Sequence, residues 1–275
     1  MKGKIAVALL FAVFIAPQIV QADLLLNPTF SNTAGETWTA SRIAVVNQAI
    51  ADWANVIAGL DDGFGGTTNV TINFTADFTN LPGSYLGRWS GSFSFFTGDD
   101  LLPWSNTVTH TIHFNAAYFS GPSTLWWDPT PADSGTDKAF ADWDALTVAR
   151  HEIGHMLGFT GSYRTQAGTA SEFFPWVSKI SANVFDPGGL NVAMEPGDVA
   201  HVAADSLLMD TTLSNIEGRI GISDTEAGML ALAYGYKLVS VPEPQSLVAV
   251  IFLSVICGSR ARRRTPKQTT PVVAF

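Results

Sequence analysis

The sequence predicts an α+β domain, and three patterns carry that prediction. Apolar residues recur at intervals of three and four in one early segment, as on an amphipathic helix. They then alternate strictly with polar residues over Val70–Phe78, the period of a half-buried strand. Two further helical segments follow these strand-like stretches. Helix, strands and helices in that order suggest one sheet whose apolar face packs on the helices.

In chain order, residues 23–36 read as an irregular lead-in. From Ser41 the stripe Ile43, Val46, Ile50, Trp53 and Ile57 predicts a helix ending near Gly59. Asp61–Gly66 is glycine-rich and predicts a loop. The strand at 70–78 is followed by a Pro82-Gly83 turn, a strand-like stretch over 85–96 and another over 108–114. The aromatic segment Trp126-Trp127-Asp128-Pro129 comes next; its tryptophans suit either a cleft wall or plain packing. A second helix is expected from Asp142, a good N-cap, through Leu146, Ala149 and Ile153 to Gly158. Residues 159–200 read as loop-rich, with a turn at Asp186-Pro187-Gly188-Gly189. Ser223-Asp224-Thr225-Glu226 matches a capping box and opens a last helix that ends before Gly235.

The two ends of the 275-residue chain have a different character from its middle. Residues 1–22 predict a secretory signal peptide. Lys2 and Lys4 form a basic start, Ile5–Ala16 an apolar stretch and Val20-Gln21-Ala22 a small-residue cleavage site. The apolar stretch is short for a membrane span of about 20 residues, which favours cleavage over an N-terminal anchor. Residues 23–240 form the body. They hold eight of the 15 Lys+Arg and 23 of the 24 Asp+Glu, a net charge of −15 against −9 for the whole chain. Such acidity argues against nucleic acid or an anionic membrane as a partner. The sole cysteine, Cys257, lies in the C-terminal stretch, so the body has neither a disulfide nor a thiolate ligand or nucleophile.

At the other end, residues 241–275 contain Val241-Pro242-Glu243-Pro244, a short apolar stretch over 247–258, and Arg260, Arg262, Arg263 and Arg264. In that order the three parts fit entry into a membrane with the arginines held on the cytoplasmic side. They resemble the PEP-CTERM sorting signal of Gram-negative bacteria. The resemblance implies a transient membrane stretch, removal of the tail by an exosortase-type partner, and delivery to the cell surface or matrix. An ordinary single-span C-terminal anchor is the alternative.

The chemistry sits in His151-Glu152-Ile153-Gly154-His155. Residues four apart on a helix share a face, so His151 and His155 can offer two imidazole nitrogens to one metal ion. Glu152 stays close enough to reach a water at that ion. Zinc lowers the pKa of such a water towards about 7, and a carboxylate can take its proton and pass it to a leaving amine. With five His and seven Glu in the chain, the pattern arises by accident in roughly 0.002 chains of this composition.

With Gly158 added, the run resembles the His-Glu-x-x-His-x-x-Gly helix of the metzincin zinc metalloproteases. The usual third histidine, three residues after that glycine, is replaced here by Gly161. A subset resembling leishmanolysin places the third histidine after a long insertion and follows it with a Met-turn. His201, and then Ser206-Leu207-Leu208-Met209-Asp210, match that arrangement. The resemblance implies a metzincin-like zincin domain: a twisted sheet packed on the active-site helix, with a smaller C-terminal subdomain. It further implies Zn2+ held by His151, His155 and His201, with Met209 beneath it and Glu152 as general base and acid. The expected activity is secreted or surface endopeptidase hydrolysis of protein or peptide substrates.

Two rival readings stay open at this level. The third ligand can be a carboxylate, with Glu172 and Glu195 the nearest downstream candidates, as in gluzincin-like sites. Alternatively, the body is a non-catalytic adhesion or matrix protein that retains a zinc site. His110 and His113 are poor partners for one ion, because residues three apart on a strand point to opposite faces. Asp198 and Asp205 flank His201 and can orient its ring.

Overall fold

The computed structural model describes residues 24–62, 64, 66–91, 109–139, 141–160, 180, 181, 183–204, 206–211 and 218–239. The expected signal peptide and sorting tail, residues 92–96 of one expected strand, Glu172 and Asp205 lie outside the described residues. Among the described residues no helix is long and apolar enough to cross a membrane.

The architecture is mixed α+β. Its first strand, β1 (Leu24–Asn32), falls in the expected irregular lead-in, which is thereby corrected. Only Leu24 and Leu26 mark it as a strand in the sequence, and Pro28 argues against one. The neighbouring strand decides: β1 lies at a sheet edge, where a missing N–H is tolerated. Helix α1 (Ala40–Ala54) buries Val45, Val46, Ala49 and Trp53. It stops short of the expected end, and Ile57 and Gly59 belong to β2 (Ile57–Asp61) instead. Ile57 continues the helical spacing by coincidence; pairing of Ile57, Gly59 and Leu60 with the chain's last described strand fixes the segment as extended.

Strands β3 (Thr67–Thr68) and β4 (Val70–Thr79) follow, the second as the alternation predicts. Next come β5 (Gly87–Ser90) and β6 (His110–Asn115), then a 3-10 turn at Ala116–Phe119. The main sheet has the order β1-β4-β6-β5, parallel except for β5 at the far edge. On one face Phe74, Ala76, Phe78, Ile112 and Phe114 are buried together with α1 and the second helix. Trp127 joins this packing, 5.0 Å from Phe114 and 5.6 Å from Phe78 between ring centroids, so it serves the core. Trp126 lies against the guanidinium of Arg219.

The short strands β7 (Leu125–Trp126) and β8 (Trp143–Asp144) pair in parallel just before helix α2 (Ala145–Leu157). The N-cap of α2 is Asp144, not Asp142: its carboxylate accepts from Thr147 N at 3.1 Å and Thr147 Oγ1 at 2.7 Å. Asp142 instead accepts from the backbone and hydroxyl of Thr124, tying down the preceding loop. Gly158 ends the helix at φ +140°, ψ −5°, a positive φ outside the left-handed helical well. A side chain there would run into the ring of Tyr234. Tyr234 and Tyr236 donate their hydroxyls to the last carbonyls of the segment, Gly158 and Leu157.

The described part of the expected loop-rich stretch contains a small antiparallel sheet. It comprises β9 (Ile180–Ser181), β10 (Val184–Phe185), β11 (Val192–Glu195) and β12 (Asp198–Val202), with a 3-10 turn at Pro187–Gly189 in the place of the expected turn. These strands are too short to show a period. Helix α3 (Asp224–Tyr234) opens with the predicted capping box at Ser223 and Glu226 and closes on left-handed Gly235. Strand β13 (Tyr236–Leu238) then returns to pair with β2.

Candidate metal centre

Helix α2 is buried along nearly its whole length, and only His155 in it is half-buried. It runs beneath edge strand β5, and its position is held from both sides. Trp53 Nε1 donates to the carbonyl of Arg150 at 2.9 Å, and Arg150 pairs with Asp52 of α1. At the N-terminal end Arg219 reaches Asp144 and Asp128, both nearly fully buried, at 3.1 and 2.6 Å. Burial alone would depress Arg219, but its bonds to Asp144 and Asp128 outweigh that and hold the guanidinium firmly charged.

On this helix His151 and His155 share one face, and strand β12 brings His201 against them. Ring centroids lie 4.7 Å apart for His151 and His155, 5.3 Å for His151 and His201, and 4.9 Å for His155 and His201. One ring nitrogen from each falls within 4.8 Å of the other two. His201 is far from His155 in sequence, and tertiary structure alone joins them.

Each ring uses its Nδ1 on an oxygen that can only accept. His151 Nδ1 donates to Leu208 O at 2.7 Å, His155 Nδ1 to Phe159 O at 2.6 Å, and His201 Nδ1 to the Asp198 carboxylate at 2.9 Å. These partners fix the Nδ1–H tautomer and leave Nε2 with a bare lone pair. Burial, reinforced by the neighbouring imidazoles, lowers His151 to about 4 and His155 well below its ordinary value, so neither ring is charged at neutral pH.

The Nε2 atoms of His151 and His155 lie 3.0 Å apart. With no proton on either, that contact is repulsive unless a cation sits beside both. Zinc–imidazole bonds of about 2.0–2.1 Å in tetrahedral geometry place two ligand nitrogens about 3.3 Å apart. The residues therefore fit a metal ion with three imidazole ligands.

Glu152, the residue after His151, is buried against β5. Burial raises its carboxyl to about 8, opposed by a hydrogen bond from the Trp89 backbone N–H and by the charge of Arg88. Gly87 makes room for it: a Cβ there would lie 2.9 Å from Glu152 Oε1 and 2.7 Å from Val148 Cγ1.

The other candidates separate cleanly. His110 is buried beside Trp89 on β6, whereas His113 contacts Ser90 Oγ at 2.8 Å and Asp77 at 3.5 Å on the opposite sheet face. Neither joins the three-histidine group, as their parity on the strand predicts. Glu195 lies on β11 and is not in that group either. Met209 is fully buried, with its sulfur against Gly154 of α2. Three contributors escape a reading of the sequence: Arg219, the Gly87–Trp89 edge, and the second role of Glu226, whose Oε1 accepts from Met209 N at 2.7 Å. The capping box identifies Glu226 as a helix-start residue, but no local pattern shows where its other oxygen points.

No protein-family model and no curated protein matches this sequence.

Proposed function

We propose that the body is a metzincin-like zinc endopeptidase in which His151, His155 and His201 hold the ion and Glu152 moves the proton. One observation carries the reading: three imidazoles, each made to present a bare Nε2 by an oxygen acceptor on Nδ1, converge on one point, and the residue next to the first of them is a buried carboxylate. An all-imidazole set of three suits a catalytic zinc with one position left open. When bound, the ion supplies Lewis acidity to a water and to the scissile carbonyl.

The protein's own groups do the rest. Asp198 and the carbonyls of Leu208 and Phe159 keep the three rings in one tautomer and orientation. Burial raises the Glu152 carboxyl, and a nearby cation would favour its ionised form, the form that accepts a proton. It takes the proton of the attacking water and delivers it to the departing amine nitrogen. The buried surroundings keep that proton from bulk solvent.

The test combines zinc content with caseinolytic activity. The wild type should bind about one zinc and lose activity to a chelator. Glu152→Gln should keep the zinc and lose at least ~10²-fold in turnover. Zinc binding with no hydrolysis of any peptide substrate in the wild type would instead favour the non-catalytic matrix reading. His201→Ala should weaken zinc while Glu195→Ala and Glu172→Ala do not; the reverse would move the protein to a carboxylate third ligand. For residues 241–275 we propose the sorting-signal reading, supported by the order Pro-Glu-Pro, apolar stretch, arginines.

A further inference from the structure

The segment Leu207–Met209 is bonded to more partners than a turn needs. The carbonyl of Leu208 accepts from His151 Nδ1 at 2.7 Å, and the carbonyl of Met209 accepts at 2.9 Å from the N–H of Val202, the residue after His201. This segment thus holds one imidazole directly, and the strand that carries a second is bonded to it beside that residue. The N–H groups of Leu208 and Met209 point the other way, towards α3, while that of Leu207 donates to Ala204 O at 3.0 Å. Met209 N donates to Glu226 Oε1 at 2.7 Å, and Leu208 N donates to the same carboxylate. Glu226 is completely buried. Its other oxygen, Oε2, accepts from Ser223 N at 3.0 Å, as a capping box requires, and in addition from Ser223 Oγ at 2.7 Å.

A capping-box glutamate ordinarily reaches back to its N-cap from the surface, and burying a carboxylate merely to cap a helix would be costly. Here four donors compensate the burial, and two of them belong to the turn that orients His151 and carries the strand of His201. We propose that Glu226 is a positioning residue of the metal centre, setting the turn that aims His151 and His201 at the ion. This rests on the metal-site reading above, and its test separates the two. Partners that orient a ligand's ring are worth about 10- to 100-fold in metal affinity when removed.

The experiment compares full-length wild type, Glu226→Ala, Glu226→Gln and Ser223→Ala. Zinc affinity is measured by chelator competition, the ligand field by the visible spectrum of the cobalt(II) form, and metal-free stability by urea denaturation. Ser223→Ala removes the cap hydroxyl but leaves Glu226 on the turn; it should lower stability while keeping zinc affinity within about 2-fold and the cobalt spectrum unchanged. Glu226→Ala should weaken zinc about 10- to 100-fold and alter the cobalt bands. Glu226→Gln keeps one acceptor for the turn, and should fall between. If Glu226→Ala does not fold, the comparison of Glu226→Gln with Ser223→Ala decides alone. Affinity losses that simply track stability losses across the set, with one unchanged cobalt spectrum, would make Glu226 a helix cap only and overturn the proposal. A wild type that binds no zinc would overturn the metal-site reading itself, and this inference with it.

Discussion

A Cβ at Gly154 would lie 2.5 Å from Met209 Sδ and 3.3 Å from Trp53 Cζ2. The middle of the two-histidine run therefore requires a residue without a side chain, because the turn below it packs its methionine against the helix backbone. Elsewhere in a helix, alanine would be the better residue by about 1 kcal/mol. Here overpacking, worth about 1–3 kcal/mol, opposes that gain. Met209 and Trp53 are fully buried and have little room to yield. Gly154→Ala should therefore be destabilising on balance. Urea denaturation checks the sign, and a more stable Gly154→Ala protein would contradict the packing argument.

Arg219 carries the start of α2. Its side chain and those of Asp128 and Asp144 are 6%, 0% and 3% exposed. Removing one partner of a buried ion pair leaves the others uncompensated, typically at about 3–5 kcal/mol. Arg219→Ala should lose stability on that scale. Arg219→Lys should not restore it, since an ammonium cannot make the same forked set of bonds to two carboxylates and to the carbonyls of Pro131 and Asp133. Denaturation midpoints near wild type for either variant would count against the clamp.

Acid sensitivity should trace in part to His110. Burial lowers it from 6.5 to about 4. A depressed folded-state pKa means the unfolded chain takes up the proton first. Its stabilising contribution is complete above pH about 6.5 and is lost as pH falls towards about 4. The interval corresponds to about 3 kcal/mol. The drop in unfolding free energy between about pH 7.5 and 4.5 should shrink by roughly 2–3 kcal/mol in His110→Gln. An equal drop in both proteins would show that His110 is not the group responsible.

Sorting can be tested independently of the metal centre. Truncation after Ser240 should leave the body folded but release it to the medium, whereas the full-length chain should be retained at the envelope. Identical distribution of the two proteins would rule out a sorting role for residues 241–275.

Several features were legible because they are local. His151 and His155 are brought together by the helix repeat itself, and Glu152 comes with them. The alternation at Val70–Phe78 needs no partner to be recognised, and the Ser223–Glu226 box closes within one helical turn. The expectation that His110 and His113 part company follows from strand parity, and they do.

Boundaries and weak elements were less legible, since neighbours decide them. Pro28 sits inside β1 only because that strand is an edge. Ile57 fits the stripe of α1 yet belongs to β2, because its backbone finds a partner in Leu238. Asp142 and Asp144 are equally good caps by residue type; the bond from Thr124 to Asp142 leaves Asp144 to Thr147.

By itself, then, the sequence determined the two helix histidines, their glutamate, the capping box and an α+β order of elements, all set by interactions within a few residues. Tertiary structure alone decided that His201 faces His155, that Arg219 seats the start of α2, and that Glu226 reaches Met209. Each of those links joins different elements. The direction of a side chain across such a gap depends on how elements pack, and that information is spread over the whole core.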